Sequence, residues 1–386
     1  MRLPDPSDPF ILLDDARVMG AAAARLYRDP VEIVCAHRPH EVQPALDRLA
    51  EARDDGLHAA GYMAYEAGYA LEGKTCPLVA PGPMPLLWFG LFDGFRSVAS
   101  QDVPALLPDS ATAGAGAVRP LIDKAAYLAA FEEVQERIRA GDIYQANLTF
   151  PCDVDLTGDP CAIYAALRPR AGAGYGGIVH TGAHWLLSFS PELFFTLVRG
   201  QLTARPMKGT AVRLADEAAD RAAVAALSAD PKQRAENLMI VDLLRNDLSR
   251  VSLAGSVTVP ELFRVDSYPT IHQMISTVRA KLLPGLSAVD VLRTIFPCGS
   301  ITGAPKLRAM EVICAIEPFA RGAYTGAIGR IDADGDAAFN VAIRTISVEE
   351  GARMGRISLG SGIVADSVAE AEWRECLDKA RFLASA

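Results

Sequence analysis

The sequence is poor in the residues that announce a metal centre, a disulfide scaffold or a membrane span. Its seven cysteines, at 35, 76, 152, 161, 298, 314 and 376, are odd in number, scattered, and form no Cys-x-x-Cys pair. That argues against a disulfide framework or a thiolate metal site, and for a reduced, cytoplasmic protein. Only six histidines occur in 386 residues. His180 and His184 have the spacing of a helical zinc pair, but Thr181-Gly182-Ala183 reads as a turn between two strands and no glutamate follows His180. No apolar run is long enough to span a bilayer, and the N-terminus shows no basic region followed by an apolar one. Excess positive charge is missing too. Lys and Arg number 38 against 47 Asp and Glu, a net charge of −9, which argues against nucleic acid or an anionic membrane as partner. Small anionic substrates stay compatible, because site charge is local. What the chain has in plenty is apolar residues, 50% of the total, enough for a sizeable core without staples.

The organisation follows from periodicity and punctuation. Residues 1–106 read as a mixed α/β region, with a short buried strand at Pro9–Leu13, a helix over Val42–Asp54, and aromatic strand-like runs at Gly61–Tyr69 and Leu86–Phe92. Residues 107–119, mostly small with two glycines, read as a linker. Residues 120–386 form a second region expected to pack with the first into one globular unit. It opens on a strong amphipathic helix, Lys124–Ala140, with Tyr127, Leu128, Phe131, Val134 and Ile138 on one face. Strand-like segments follow at 145–152, 177–181, 185–189, 192–198, 257–259, 280–283, 324–331, 338–347 and 356–359. Helices are expected at 235–250, 288–295, 306–316 and from Ser367 to the end. Strands and helices do not alternate as βα repeats, so the fold class is α+β.

The candidate sites are weak one by one. Gly360-x-Gly362-x-x-Ala365 matches a bare dinucleotide pattern, but only 21 residues follow it, too few for the rest of a βαβ unit; a backbone nest for another anion fits better. Gly299 to Lys306 resembles a phosphate loop with the wrong spacing, and Pro305 removes an amide; a glycine-rich turn opening a helix still offers an anion its amides and dipole. Glu236 and Asp247, eleven residues apart, share a helix face, as do Glu372 and Glu375. Oxygen ligands on separate segments suit Mg²⁺, which takes one or two protein carboxylates and completes its shell with substrate and water. In Arg205-Pro206-Met207-Lys208-Gly209-Thr210, proline fixes the backbone just before the lysine segment and glycine turns it just after, presenting Lys208 on a loop.

Together these segments form an ordered set that closely resembles the chorismate-binding family: component I of anthranilate synthase, component I of aminodeoxychorismate synthase, and isochorismate and salicylate synthases. The matching stretches are Gly141–Thr149, Ser190–Phe194, Arg205–Thr210, Arg234–Leu248, Phe296–Lys306, Tyr324–Gly329, Ala342–Thr345, Gly360–Asp366 and Glu372–Glu375. The first 105 residues match more loosely, through Gly61–Gly68 and Leu87–Phe92. The resemblance implies two β-sheets packed as a sandwich, flanked by helices, with the active site in a cleft.

It also implies roles. Glu192 is the acid that protonates the departing C4 hydroxyl of chorismate, and Glu236 and Glu375, with Glu372 nearby, bind Mg²⁺ on the ring carboxylate. Arg344 and Tyr324 hold the enolpyruvyl carboxylate, helped by the backbone at Gly360, Ser361 and Gly362; Gln145, Thr210, Thr302 and Gly303 complete the substrate site. Isochorismate and salicylate synthases carry a water-activating lysine where this chain has Gln145, whose amide is no base. Anthranilate synthases carry alanine where this chain has Lys208, and a lysine there marks the aminodeoxychorismate branch. Its implied role is a nucleophile that adds at C2 before ammonia adds at C4, giving 4-amino-4-deoxychorismate, the precursor of p-aminobenzoate and folate. Such a role needs a free amine, whereas an unperturbed lysine is almost wholly protonated at neutral pH. Many relatives have a histidine where this chain has Gln273, with His272 one residue earlier. No residues are left over for a glutaminase or a fused second enzyme, so ammonia is expected from a separate glutaminase subunit. The alternatives are an anthranilate synthase component I with an unusual loop, and a non-catalytic chorismate-binding subunit.

Overall fold

The computed structural model describes residues 3–4, 8–72, 84–267 and 271–383. Two ten-stranded antiparallel sheets make the frame. In the first, Gly303–Ala304, Gln145–Thr157, Met354–Ile363, Thr345–Glu349, His184–Ser188, Gly176–His180, Phe10–Asp14, Ala24–Arg28 and Arg96–Val98 lie side by side, and Gly114–Pro120 pairs with Gln145–Thr157. In the second the order is Met207–Val212, Ile271–Lys281, Gln201–Arg205, Leu193–Val198, Ala337–Asn340, Ala327–Ile331, His58–Met63, Leu87–Phe92 and Glu32–Ala36, with Thr258–Ser267 also on Ile271–Lys281. Strands from residues 10–98 thus enter both sheets, three in each.

Side-chain alternation explains how apolar runs serve two cores at once. Along Phe10–Asp14, Phe10 and Leu12 face the helix-covered core of the first sheet, while Ile11 points between the sheets. Ile178 and Val179 divide the same way, as do Leu187 and Leu186. From the second sheet Ala60, Tyr62, Trp88 and Phe92 meet Ile11, Tyr27 and Val179, and this shared cluster is the middle of the sandwich. Outside the first sheet, helix Lys124–Arg139 buries Tyr127, Phe131 and Val134, capped by Asp123, whose carboxylate accepts from the Ala126 amide at 2.7 Å. Helices Pro39–Asp54, Pro231–Ser249 and Ala288–Ile295 cover the second sheet. The expected α+β sandwich is observed.

Several local expectations shift. The run 61–69 leaves its strand after Met63 and turns into the short helix Ala67–Leu71; the stretch 338–347 breaks into two strands between Asn340 and Thr345. Helices Pro160–Ala171 and Glu217–Ala229 are not among those expected from the sequence. Cys35, Cys152, Cys161, Cys298 and Cys376 are free, but Cys314 is disulfide-bonded, which departs from the expectation of seven reduced thiols; Cys76 lies outside the described residues. No helix of the described residues is long and apolar enough to cross a membrane.

A buried ion network ties strand Gln145–Thr157 to the residues that follow helix Lys306–Ile316. Arg321 pairs with Glu317 at 2.7 Å, both side chains almost wholly inaccessible. Arg321 also donates to the carbonyls of Asn147 (2.7 Å) and Ile301 (3.2 Å), while Glu317 accepts from the Thr149 amide at 2.9 Å. Arg321→Ala strands a buried carboxylate, and urea unfolding is expected to show a loss of about 3–5 kcal/mol.

Candidate active site

Lys208 sits on a strand, not on the open loop its flanking residues suggested. Met207–Val212 pairs with Ile271–Lys281, with Met207 opposite Ile275 and Thr210 opposite Gln273, so three steps on one strand match two on the other. The extra residue is a β-bulge at Lys208-Gly209, and Gly209 takes φ +88°, which few other residues adopt. A bulge re-aims a side chain, and here the Lys208 amine reaches the strand Met354–Ile363. A Cβ placed on Gly362 would lie 2.9 Å from Lys208 Nζ and 3.1 Å from Gln145 Nε2. A side chain at 362 would therefore have to displace the Lys208 amine or the Gln145 amide. Gln145 is fully buried, and neither its amide oxygen nor its nitrogen has a hydrogen-bond partner among the described residues. Buried polar groups are normally satisfied, so an unpaired amide beside a lysine marks a place built for a ligand.

Glu192 immediately precedes strand Leu193–Val198 and is 6% exposed. The Ser190 hydroxyl accepts from its amide at 3.2 Å, and its carbonyl accepts from the Val341 amide at 3.1 Å, so its backbone is fixed on two sides. Burial pushes the carboxyl up to about 7, against the pull of a 2.7 Å hydrogen bond from Ser300 Oγ and the charges of Lys208 and Lys379. It can therefore carry a proton near neutrality. Ser300, on the turn Gly299–Ile301, had not been singled out in the sequence.

Glu236 lies in the second turn of helix Pro231–Ser249, half-buried and in electrostatic reach of Lys208. Burial raises its pKa, Lys208 and Lys232 pull it down, and Asp366 and Glu372 push it up again. Its carboxylate has no hydrogen-bond or ion-pair partner among the described residues. On helix Ala369–Asp378, Glu372 accepts from Ser367 Oγ at 2.7 Å and Glu375 pairs with Lys379 at 2.8 Å. Glu375 is 57% exposed at its side chain; burial by surrounding protein works to raise its pKa, but Lys379, Lys208 and Lys232 outweigh this and lower it. Lys208 thus lies within electrostatic reach of Glu192, Glu236 and Glu375 together. No cluster of three or more protein ligands that could hold a metal occurs among the described residues. An unpartnered, partly buried Glu236 beside further carboxylates still fits a cation that takes few protein ligands. Asp247, on the same helix face, belongs elsewhere: three turns put it roughly 16 Å along the axis, where it is buried and paired with Lys306 at 2.5 Å.

Arg344 falls in the break after Asn340 with φ +50°, and Thr325, beside Tyr324, has φ +60°. Two left-handed non-glycine residues on adjoining segments are backbone conformations that need support. The segments supply it, through Thr325 N–H to Ala342 O and Ala342 N–H to Gly326 O, each 2.9 Å. The Arg344 guanidinium has no ion pair among the described residues, and burial lowers its pKa. Tyr324 is buried, which raises the pKa of its hydroxyl. Thr302 is fully buried with Oγ1 donating to Cys298 O at 2.8 Å, and Gly303 pairs with Ala146 beside Gln145. Gly360, Ser361 and Gly362 lie in an extended strand opposite Thr149, Leu148 and Asn147, so they offer a strand edge rather than the expected nest. Lys379, also missed in the sequence, donates to Gly360 O at 2.8 Å. Thr210 is exposed and its hydroxyl donates to Gln273 Oε1 at 3.1 Å.

This chain belongs to the chorismate binding enzymes: residues 16–385 match the family of that description. Among curated relatives it is 42% identical over 287 residues to aminodeoxychorismate synthase component 1 of Salmonella typhimurium, covering 74% of this chain and 62% of that one. It is 37% identical over 341 residues to anthranilate synthase component 1 of Methanothermobacter marburgensis, covering 84% and 73%. Its fold matches a crystal structure of anthranilate synthase component I from Streptococcus pneumoniae with TM-score 0.79 and 25% identity, over 95% of this chain and 92% of that one. The match to the Salmonella relative spans less than two thirds of that protein's length.

Proposed function

We propose that this protein aminates chorismate at C4 to 4-amino-4-deoxychorismate, with ammonia delivered by a separate glutaminase subunit, in the cytoplasmic route to p-aminobenzoate and folate. The observation that carries the reading is the position of Lys208: bulged out of its strand, against Gly362 and the unpaired Gln145 amide, within reach of three carboxylates. Lys208 Nζ forms a bond to ring carbon C2, the two ring double bonds shift from C1–C2 and C5–C6 to C1–C6 and C4–C5, and the C4–O bond breaks. Glu192 gives its proton to that oxygen, which leaves as water. Ammonia then bonds to C4, both double bonds shift back, the C2–N bond breaks to return the Lys208 amine, and the ammonium formed at C4 gives a proton back to Glu192. Arg344 and Tyr324 bind the enolpyruvyl carboxylate, with Thr302, Gly303, Gly360 and Ser361 shaping the pocket and Thr210 bordering it. Glu236 and Glu375, with Glu372 beside them, hold Mg²⁺, which when bound neutralises the ring carboxylate. Gln145 supplies no base for water, so the water-adding branch is disfavoured.

The test is product analysis with chorismate, Mg²⁺ and ammonium. The expected product keeps its enolpyruvyl group, and pyruvate appears only after an aminodeoxychorismate lyase is added. Immediate pyruvate with a fluorescent aromatic amine would mean anthranilate synthase. Chorismate bound but unchanged would mean a non-catalytic subunit.

A further inference from the structure

His272 and Gln273 are consecutive on strand Ile271–Lys281, so their side chains leave it on opposite faces. His272 is buried and turned away, with Nε2 against Asp220 Oδ1 and Nδ1 against Ser267 Oγ, both 2.8 Å. Gln273 faces the bulge. Its Nε2 donates to Gly209 O at 2.9 Å, and its Oε1 accepts from Thr210 Oγ1 at 3.1 Å. Both ends of one amide thus hold the two residues that follow Lys208. On the opposite side Gln233 and Leu227 pack against the bulge: a Cβ on Gly209 would come within 2.9 Å of Gln233 Oε1 and 3.3 Å of Leu227 Cδ1. The bulged residues donate and accept less regularly in the ladder than their neighbours, so the direction of Lys208 depends on side-chain support.

We infer that Gln273 is a positioning residue for Lys208: its amide pins the Lys208-Gly209 bulge so that the amine points at Gly362 and Gln145. The inference rests on the reading of Lys208 as the reacting amine, but concerns a different residue. A glutamate at 273 is nearly isosteric and keeps the contact to Thr210, yet it has no donor for the Gly209 carbonyl. Alanine removes both contacts.

The experiment is a double-mutant cycle in the full chain, combining Gln273→Ala and Gln273→Glu each with Lys208→Ala. Peptide mass spectrometry adds the rate at which acetic anhydride modifies Lys208. Gln273→Ala and Gln273→Glu are expected to lower kcat about tenfold, with KM for chorismate within about twofold and an unchanged Tm, as displacement of a reacting group does. In the Lys208→Ala background neither is expected to cost anything more. Lys208 labelling is expected to change at least about threefold in both Gln273 variants, with Lys232 and Lys379 unchanged as internal references. An equal loss in both backgrounds, or unchanged Lys208 labelling, overturns the inference. A Lys208→Ala enzyme near the parental rate instead overturns the catalytic reading of Lys208. The labelling result, which needs no turnover, then decides the positioning of the amine by itself.

Discussion

Lys208→Ala is expected to lower chorismate amination by about a thousandfold or more, because removing a covalent nucleophile forces a single difficult displacement in place of two easier ones. Lys208→Arg is not expected to restore the rate, since a guanidinium stays protonated and offers no lone pair for attack. Both variants should fold. Lys208 is only partly buried, and the bulge that carries it is fixed by Gly209, Gln273 and Thr210. Chorismate binding, followed by protein fluorescence, should change far less than kcat, because Arg344 and the carboxylate cluster are left intact. A comparable loss in affinity and rate would instead make Lys208 a binding residue.

Glu192→Gln is expected to lower kcat by about 10²–10⁴-fold, the range for a missing general acid. The parental rate should fall as pH rises through about 7, where the buried carboxyl of Glu192 ionises, and the variant should lose that limb of the profile. The contribution of Glu192 to stability should fall over the same rise in pH. A carboxyl raised from 4.5 to about 7 by burial binds its proton more tightly in the folded state. Its contribution is fully favourable below about pH 4.5, weakens between the two values, and is lost above pH 7. Glutamine keeps the acceptor for Ser300 Oγ and carries no charge. At pH 8 the variant should therefore be more stable by up to about 3 kcal/mol, and at pH 4 nearly equal to the parent. Urea unfolding at the two pH values measures the difference. Equal stability at both would mean that Glu192 is not held protonated by its surroundings.

The candidate site residues could be named from the sequence because they sit in short, locally distinctive segments. Glu192, Gln145, Tyr324, Arg344 and the carboxylates of the last helix each come from a short motif, and long periodic helices such as Lys124–Arg139 are plain from spacing. What was not legible depends on partners distant in sequence. The bulge that aims Lys208 exists only in register with Ile271–Lys281, and the space limit on Gly362 only because Lys208 and Gln145 arrive from elsewhere. Ser300 and Lys379 were missed because nothing in their own segments shows that they face Glu192 or Gly360. Asp247 shares a helix face with Glu236, but face alone ignores distance along the axis. Glu317 and Arg321 lie past the end of helix Lys306–Ile316, so their four-residue spacing was no helical signal, and their pairing and burial did not show.

The proposed chemistry makes the bond between Lys208 and the ring the decisive object. The most direct measurement is the intact mass of the protein after incubation with chorismate and Mg²⁺, without ammonium, followed by peptide mapping. Chorismate less one water, added at Lys208 and absent from Lys208→Ala and Glu192→Gln, is the predicted result; an unmodified lysine in an enzyme that aminates at full rate once ammonium is supplied would contradict it.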